Sequence, residues 1–500
     1  MLASDRMREW DRHASEDVGV PERLLMDAAG RAAAEVLQRE YPRGRVCVAM
    51  GGGNNGGDGA VLLRTLLEWG RDAYGIAVGE GAGHAELLHG RAAEISRGEA
   101  AQAALAPAEV IVDALLGTGV RGAPRTPQAE WIRRINARGV PVVALDGPSG
   151  VDFTTGAAPG EAVEATLTVT FGALKQGLLR FPGRRFCGRI VGVEVPFPPL
   201  PEGSEVGRLI TPTWANRALP AVPGDAHKGT VGTVAVVAGG WGSAGAAVMV
   251  ATAALRSGAG LVRTFSPDAN RAILQIAVPE ALFTSSNADD ADELLAGADA
   301  VVGGPGMGTD DTARALLDRI VAASGAPLLL DADALTLLAR DPDLLAAADR
   351  PLLLTPHPGE MARMLGCDTA EVTADPLAAA RRAAERWGCA VLLKGAPSLA
   401  LAPGGAPWYS VSGHSGIATG GMGDTLAGVA GALLARGCEP LDAAALALFF
   451  TGRAAELAGR GRGLLPRDIA ECLPDALLEN VEDGLSRLPP GVFLDLPAAR

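Results

Sequence analysis

The 500-residue chain is 48% hydrophobic and 20% charged, a balance that excludes disorder and at this length argues for two or three domains rather than one core. Its net charge of -14 excludes a general nucleic-acid-binding surface, so a phosphorylated ligand must be met by local backbone donors and single basic residues. Cys47, Cys187, Cys367, Cys389, Cys438 and Cys472 are widely scattered, without the paired spacing of a zinc site or redox couple, and read as reduced thiols.

In chain order, MLASDRMREWDRHASED opens the sequence heavily charged and without the apolar stretch of a signal peptide, which points to a cytoplasmic protein. Strands are predicted at VCVAM (46–50), AYGIAVG (73–79), EVIVDALLG (109–117), VPVVALD (140–146), ATLTVTFGA (165–173) and RIVGVEV (189–195). Helical patterns lie between them, including AVLLRTLLEWG, with a helix start near Asp58, and AEWIRRINARG. Fully apolar strands alternating with helices specify a parallel sheet covered on both faces. The proline-rich PFPPLPEGSE (196–205) interrupts both patterns, and the chain divides into 1–210 and 211–500.

The second part repeats the α/β alternation with VGTVAVVAGG, AGLVRTFSP, ADAVVGG, APLLLDADA, RPLLLTPHPGE and CAVLLKGA, then turns helix-rich from Thr419. Residues 230–255 carry no charge and are numerous enough to span a bilayer. Repeated glycines and a strand-like first part argue instead for a strand running into a loop, so no membrane association is expected.

Ligands of open α/β sheets bind at the carboxyl ends of strands, and three such ends in the first part are polar. GGGNNGGDG (51–59) follows VCVAM, DALLGTGVRGAPR begins at Asp113, and DGPSGVD begins at Asp146. Glycines there let backbone N–H groups approach a phosphate at a helix N-terminus. Asn55, Asp113 and Ser149 supply oxygen donors with too little charge for a tight divalent site, which suits a weakly held monovalent cation. Turn and N-cap roles explain Asn54, Asn55 and Asp58 equally well in isolation.

These three motifs, with RLLMDAAGRAA before them and TFGALKQGLL after, resemble the epimerase domain of the bacterial bifunctional NAD(P)H-hydrate repair enzymes over about residues 1–210. The resemblance implies a Rossmann-like three-layer α/β domain. In it Asn54, Asn55, Gly56, Gly57, Asp58, Gly117, Thr118, Gly119, Val120, Arg121, Gly122 and Ala123 contact a hydrated nicotinamide dinucleotide, and Asn55, Asp113 and Ser149 hold potassium. Asp146 is then the substrate-contacting acid/base, because epimerisation at C6 needs proton transfer. Lys175 is a second catalytic candidate, with a solvated surface lysine as its bland alternative.

In the second part, SGHSGIATGGMGDTLAG (412–428) places Gly420, Gly421 and Gly423 before a helix, with Asp424 directly after them. The glycines form an anion hole. Beside it a carboxylate would repel a phosphate, but it makes sense as the base that deprotonates an attacking hydroxyl. Lys394 ends the strand VLL, and no Walker-type G-x-x-x-x-G-K-[ST] occurs.

HKGTVGTVAVVAGG, ALRSGAGLV, GPGMG, DADALTLLA, TPHPGEM, LLKGAPS and IATGGMGD together resemble the ADP-dependent NAD(P)H-hydrate dehydratases of the ribokinase-like superfamily. By that resemblance, ADP contacts Lys394, Gly395, Ala396, Pro397 and Ser398, and also His414, Ser415, Gly416, Ile417, Ala418, Thr419, Gly420, Gly421, Met422 and Gly423. Gly306, His357 and the catalytic Asp424 face the hydrated dinucleotide, and Mg2+ accompanies ADP. The chain departs from the family's pattern at His414-Ser415, where an Asn-Pro pair is usual, and at Thr451, where a histidine precedes glycine.

The expected function is repair of NADHX and NADPHX by epimerisation of their R and S forms and ADP-dependent dehydration of the S form, in an enzyme that the resemblance makes a homo-oligomer. Two rivals stand beside it. A ribokinase-like small-molecule kinase would share the anion hole and Asp424, and a nucleotide-binding scaffold would share the first domain's fold.

Overall fold

The computed structural model describes all residues except 89, 92, 120, 202, 204, 205, 287–294, 324, 347, 480–488 and 500. Two compact units form, one from Met1–Gly207 with Glu482–Arg500, the other from Arg208–Val481.

The strands of the first unit are β1 (Val46–Met50), β2 (Ala73–Ala77), β3 (Ile95–Arg97), β4 (Val110–Ala114), β5 (Val142–Leu145), β6 (Leu167–Phe171) and β7 (Arg189–Val193). Every residue of β1, β2, β4, β5 and β6 is buried, as a sheet covered on both faces requires. The strand order, completed by β18 (Val492–Leu496), is β18-β7-β6-β5-β4-β1-β2-β3. The chain winds one way from β1 to β2 and β3, and the other way from β4 onward. The order therefore reverses between β1 and β4, the place where open α/β sheets build their binding crevice. In that register Ala49 pairs with Asp113 and Asp113 with Ala144, so the polar ends of β1, β4 and β5 lie side by side. Helices α1 (Ser4–Arg12), α2 (Glu22–Glu40) and α3 (Asn54–Glu68) precede or follow β1.

The second unit contains β8 (Arg208–Leu209), β9 (Thr233–Val237), β10 (Leu261–Ser266), β11 (Leu282–Ser285), β12 (Ala300–Gly303), β13 (Leu328–Leu330), β14 (Leu352–Leu354), β15 (Ala390–Leu393), β16 (Ser398–Leu401) and β17 (Trp408–Ser410). Their order is β11-β10-β9-β12-β13-β14-β15-β16-β17-β8. Pairing is parallel from β11 to β15 and antiparallel through β16 and β17. Helices Ala244–Arg256, Met422–Ala435 and Pro440–Ala458 contribute to one hydrophobic core with these strands. Small residues permit close helix approach: a Cβ on Gly428 would stand 2.3 Å from the Val250 carbonyl oxygen.

Three sequence expectations need correction. The helix expected near Asp58 begins at Asn54, because Gly53 already supplies its extended N-cap. Residues 492–496, assigned from sequence to the second half, form β18 (Val492–Leu496), which pairs antiparallel with β7. Arg208–Leu209, assigned to the first half, pairs with β17. The uncharged stretch 230–255 resolves into β9 and the helix Ala244–Arg256. Among the described residues no helix is long and apolar enough to cross a membrane.

Candidate active sites

β1 runs straight into Gly51, Gly52 and Gly53, and α3 begins at once. A Cβ on Gly51 would lie 2.0 Å from the Leu115 carbonyl oxygen, and one on Gly56 2.0 Å from the Gly51 carbonyl oxygen. Close passage of three backbone segments thus demands these glycines. A Cβ on Gly57 would strike Met26 of α2. Gly56 and Gly57 are therefore buried packing positions beneath the loop.

The side chains between them point to chemistry. Asn54 Nδ2 donates to Glu22 Oε1 at 2.6 Å, and Asn55 Nδ2 donates to the Leu116 carbonyl at 2.9 Å. Among the described residues, Asn55 Oδ1 is buried without a partner. Asp113 accepts from the Ser149 backbone N–H at 2.8 Å, the Ser149 hydroxyl at 2.7 Å and the Leu115 N–H at 3.2 Å. The Leu116 N–H in turn donates to Ser149 Oγ at 2.9 Å. Burial pushes the Asp113 carboxyl up to about 6, although the bonds from Ser149 and Leu115 pull the other way. The three residues expected to bind potassium meet around Leu116. An orphaned oxygen, a hydroxyl and one buried carboxylate fit a monovalent cation better than a divalent one. Among the described residues no group of three His, Cys, Asp or Glu side chains could chelate a metal.

Asp146 follows β5 with φ +63°, a left-handed conformation that Asp tolerates better than most residues. Its carboxylate is ion-paired with Lys175. Lys175 also donates to the Phe171 carbonyl at 2.8 Å and Thr170 Oγ1 at 3.2 Å. At 1% exposure, Lys175 is no surface lysine.

A cavity of about 940 Å³ opens over these groups, near the upper end of the roughly 300–1,000 Å³ of small-ligand pockets. Asn54, Asn55, Asp58, Gly117, Thr118, Gly119, Asp146 and Lys175 line it. Arg121, Gly122 and Ala123 are exposed and do not line it, and Val120 lies outside the described residues. Burial, then the charges of Asp146 and Asp11, hold the Asp58 carboxyl well above its usual range. Arg8 and Asp11 of α1 and Phe171 of β6 also face the cavity; sequence reasoning passed over all three. The charged N-terminal stretch offered no periodicity that would place α1 here.

In the second unit, Lys394 follows β15 and donates to Asp331 Oδ1 at 2.7 Å, with Glu360 Oε2 3.8 Å away. Burial lowers the Lys394 pKa, but Asp331, Glu360 and Asp424 outweigh it and the net shift is upward. A Cβ on Gly423 would lie 3.3 Å from Lys394 Nζ, so the lysine crowds the turn that carries Asp424. That turn begins at Gly421, with φ +86°, and opens the helix Met422–Ala435. Burial, then Asp331, raise the Asp424 carboxyl to about 6 against the pull of Lys394, with Asp333 and Glu360 adding to the rise. Asp331, just after β13, is the partner that sequence reasoning missed. The motif DADALTLLA contains it without indicating its role.

His357 is first a helix cap: its Nδ1 accepts from Gly359 N–H at 3.0 Å and Glu360 N–H at 3.3 Å. Its backbone N–H donates to Glu360 Oε2 at 2.8 Å, fixing the glutamate that faces Lys394. Gly306 has φ +58°, and a Cβ there would stand 2.8 Å from Ser243 Cβ. Its carbonyl accepts from the Gly240 N–H, joining the loops after β9 and β12 at the sheet's reversal point. His414 Nδ1 accepts from Gly416 N–H at 3.1 Å, and its Nε2 lies 3.2 Å from the Ala455 carbonyl. The departure from Asn-Pro thus supplies an anchor for the glycine-led loop. Gly395 N–H donates to Ser398 Oγ at 3.0 Å, closing the turn between β15 and β16. Gly420 is open: among the described residues, no atom beyond its own chain neighbours lies within 4 Å of where a Cβ would stand.

A Rossmann-like α/β unit with a polar switch-point cavity, joined to an α/β unit of ribokinase-like fold with a buried acid at a glycine-led helix start, defines a two-domain enzyme. Residues 22–177 match the family model described as YjeF-related protein N-terminus, and residues 234–475 the one described as NAD(P)H-hydrate dehydratase. The chain is 34% identical to the bifunctional NAD(P)H-hydrate repair enzyme Nnr of Moorella thermoacetica over 97% of both chains. It is 37% identical to the enzyme of the same name from Escherichia coli K12, covering 96% of this chain and 94% of that one. Among solved structures, a ribokinase-like superfamily protein from Enterococcus faecalis is 26% identical with a TM-score of 0.51, covering 55% of this chain and 96% of that one. The chain belongs to the family of bifunctional NAD(P)H-hydrate repair enzymes.

Proposed function

We propose that this chain repairs hydrated NADH and NADPH. The first unit interconverts R and S NAD(P)HX, and the second dehydrates the S form with ADP, releasing AMP and phosphate. The observation that carries this reading is one chain with two separate acid-bearing sites, matched along its length by relatives named for both activities.

In the first unit, Asp146 accepts the C6 hydroxyl proton as the C6–N1 bond opens to an aldehyde. Re-closure on the other face of the aldehyde inverts C6. Lys175, buried against Asp146, holds the carboxylate in place. Potassium bound by Asn55, Asp113 and Ser149 would brace the loops that grip the dinucleotide, and the orphaned Asn55 Oδ1 supports that assignment.

In the second unit, Asp424 removes the C6 hydroxyl proton as the oxygen attacks the terminal phosphorus of ADP. Hydroxide leaves poorly and phosphate leaves well. The N1 lone pair then expels phosphate, and loss of a C5 proton restores the dihydronicotinamide. Lys394 and the N–H groups of Gly420, Gly421 and Gly423 would meet the nucleotide phosphates. Mg2+ on those phosphates would offset the negative charge of Asp331, Asp333 and Glu360. Six free cysteines support a reducing, cytoplasmic setting.

The test uses purified chain with mixed R and S NADHX, Mg2+ and K+, following dihydronicotinamide absorbance after ADP is added. Recovery of the whole mixture is expected. Recovery that stops at the S fraction would sink the epimerase assignment. No recovery with ADP or ATP, together with a stable phosphorylated product from another small alcohol, would establish a kinase instead.

A further inference from the structure

The first cavity holds a carboxyl that lies ahead of the matched span 22–177. Asp11 stands on α1 and faces the same cavity as Asp146 and Lys175. Its backbone carbonyl accepts from Ser15 Oγ at 3.1 Å. Among the described residues its carboxylate has no hydrogen-bond or salt-bridge partner. Half-buried and unpaired, that carboxylate has lost part of its hydration with no protein group to replace it, which leaves it available to a ligand in the cavity.

α1 is held firmly over the cavity. Leu2 N–H donates to the Leu174 carbonyl at 3.0 Å and Gln176 N–H donates to the Leu2 carbonyl at 2.9 Å, so the segment leading into α1 brackets Lys175. Ser4 N–H donates to Thr154 Oγ1 at 3.0 Å, and Arg8 Nη1 to the Thr118 carbonyl at 3.2 Å. The Trp10 ring stacks on Phe197 with centroids 4.4 Å apart. Clamped at both ends, the helix presents Asp11 from a fixed frame, as proton transfer requires.

We propose that Asp11 is a second proton-transfer group of this cavity, working with Asp146 in exchange of the C6 configuration. The proposal rests on the epimerase reading of the first unit. In opening, the Asp146 carboxylate takes the C6 hydroxyl proton and C6=O forms. The C6–N1 bonding pair stays on N1, which receives the Asp11 carboxyl proton. In closing, N1 returns its proton to Asp11 as it attacks the other face of C6, and the oxygen takes its proton from Asp146. No proton is consumed overall.

The electrostatics agree with these roles. Burial, then Asp146, push the Asp11 carboxyl up to about 6, with Lys175 opposing and Glu22 adding. Arg8 and Arg12 on the same helix and Asp58 on α3 also face the cavity. Among the described residues, Asp146 has an ammonium partner and Asp11 has none, the kind of asymmetry that separates a base from an acid.

The experiment starts from separated R-NADHX with full-length chain, K+ and no ADP, and follows S-NADHX by chromatography. Asp11→Asn is isosteric, and its kcat for exchange is expected to fall about 100-fold or more, with KM little changed. ADP-dependent consumption of S-NADHX should persist as the internal control. Exchange by Asp11→Asn at nearly the wild-type rate, or a loss confined to KM, would overturn the proposal. Should Asp11→Asn lower the melting temperature, Asp11→Glu decides: restored exchange supports a proton-transfer role and its absence refutes it. Absence of exchange in the wild type would instead defeat the epimerase reading itself.

Discussion

Replacing Lys394 with methionine would remove the ammonium that faces Asp331 Oδ1 at 2.7 Å and Glu360 Oε2 at 3.8 Å. Asp331 is 1% exposed, so its charge would be left in a poorly solvated place. Breaking such a buried pair from one side costs about 3–5 kcal/mol, a large share of the roughly 5–15 kcal/mol that holds a domain together. Urea titration of the second unit should show that loss in Lys394→Met. Adding Asp331→Asn should restore a good part of it, because the stranded charge is then gone and the two effects are coupled. A second readout follows from Lys394 pulling the Asp424 carboxyl down. Without the lysine that carboxyl rises further above 6, and the acid limb of the dehydration pH profile moves to higher pH. A single-variant cost below about 1 kcal/mol, simple additivity in the double variant, or an unmoved acid limb would each refute this account of Lys394.

Three further outcomes are expected. With Asp424 at about 6 acting as a base, kcat/KM for ADP-dependent dehydration should climb with pH through that value and level off above it. Asp424→Asn should lose about 100-fold or more without a change in thermal melting. Asn55→Ala removes the orphaned oxygen near Asp113 and Ser149, and should raise the K+ concentration needed for half-maximal epimer exchange about tenfold, roughly one ligand's worth of binding energy at 1.4 kcal/mol. Removing residues 489–500 strips β18 and the bond from Arg189 Nε to Asp495 Oδ1 at 2.7 Å. Buried Leu494 and Leu496 alone contribute roughly 3–6 kcal/mol, so calorimetry should find the first unit's transition lowered.

The central strands were readable because burial on both faces leaves unbroken apolar runs such as VCVAM and VIVDA. β3, β8, β11, β16, β17 and β18 escaped. They are short or mixed in composition, and five of the six lie at or next to a sheet edge beyond the buried centre. Asp113, Asp146 and Lys394 stood out because each interrupts or ends an apolar run, where a charge needs a reason. The ion pair between Asp331 and Lys394 spans 63 residues of sequence, and nothing local announces it. Asp11 was hidden for a related reason. Its helix is charged throughout, and its place over the cavity depends on where Leu2 pairs beside Lys175.

The antiparallel pairing of β18 with β7 sets an order of events during synthesis. The other seven strands of the first sheet emerge from the ribosome early, but its outer edge stays open until the whole second unit has followed. Through that interval β7 presents unpaired backbone groups. Expressing the two halves as separate polypeptides, divided at the apparent linker, would make that temporary exposure permanent.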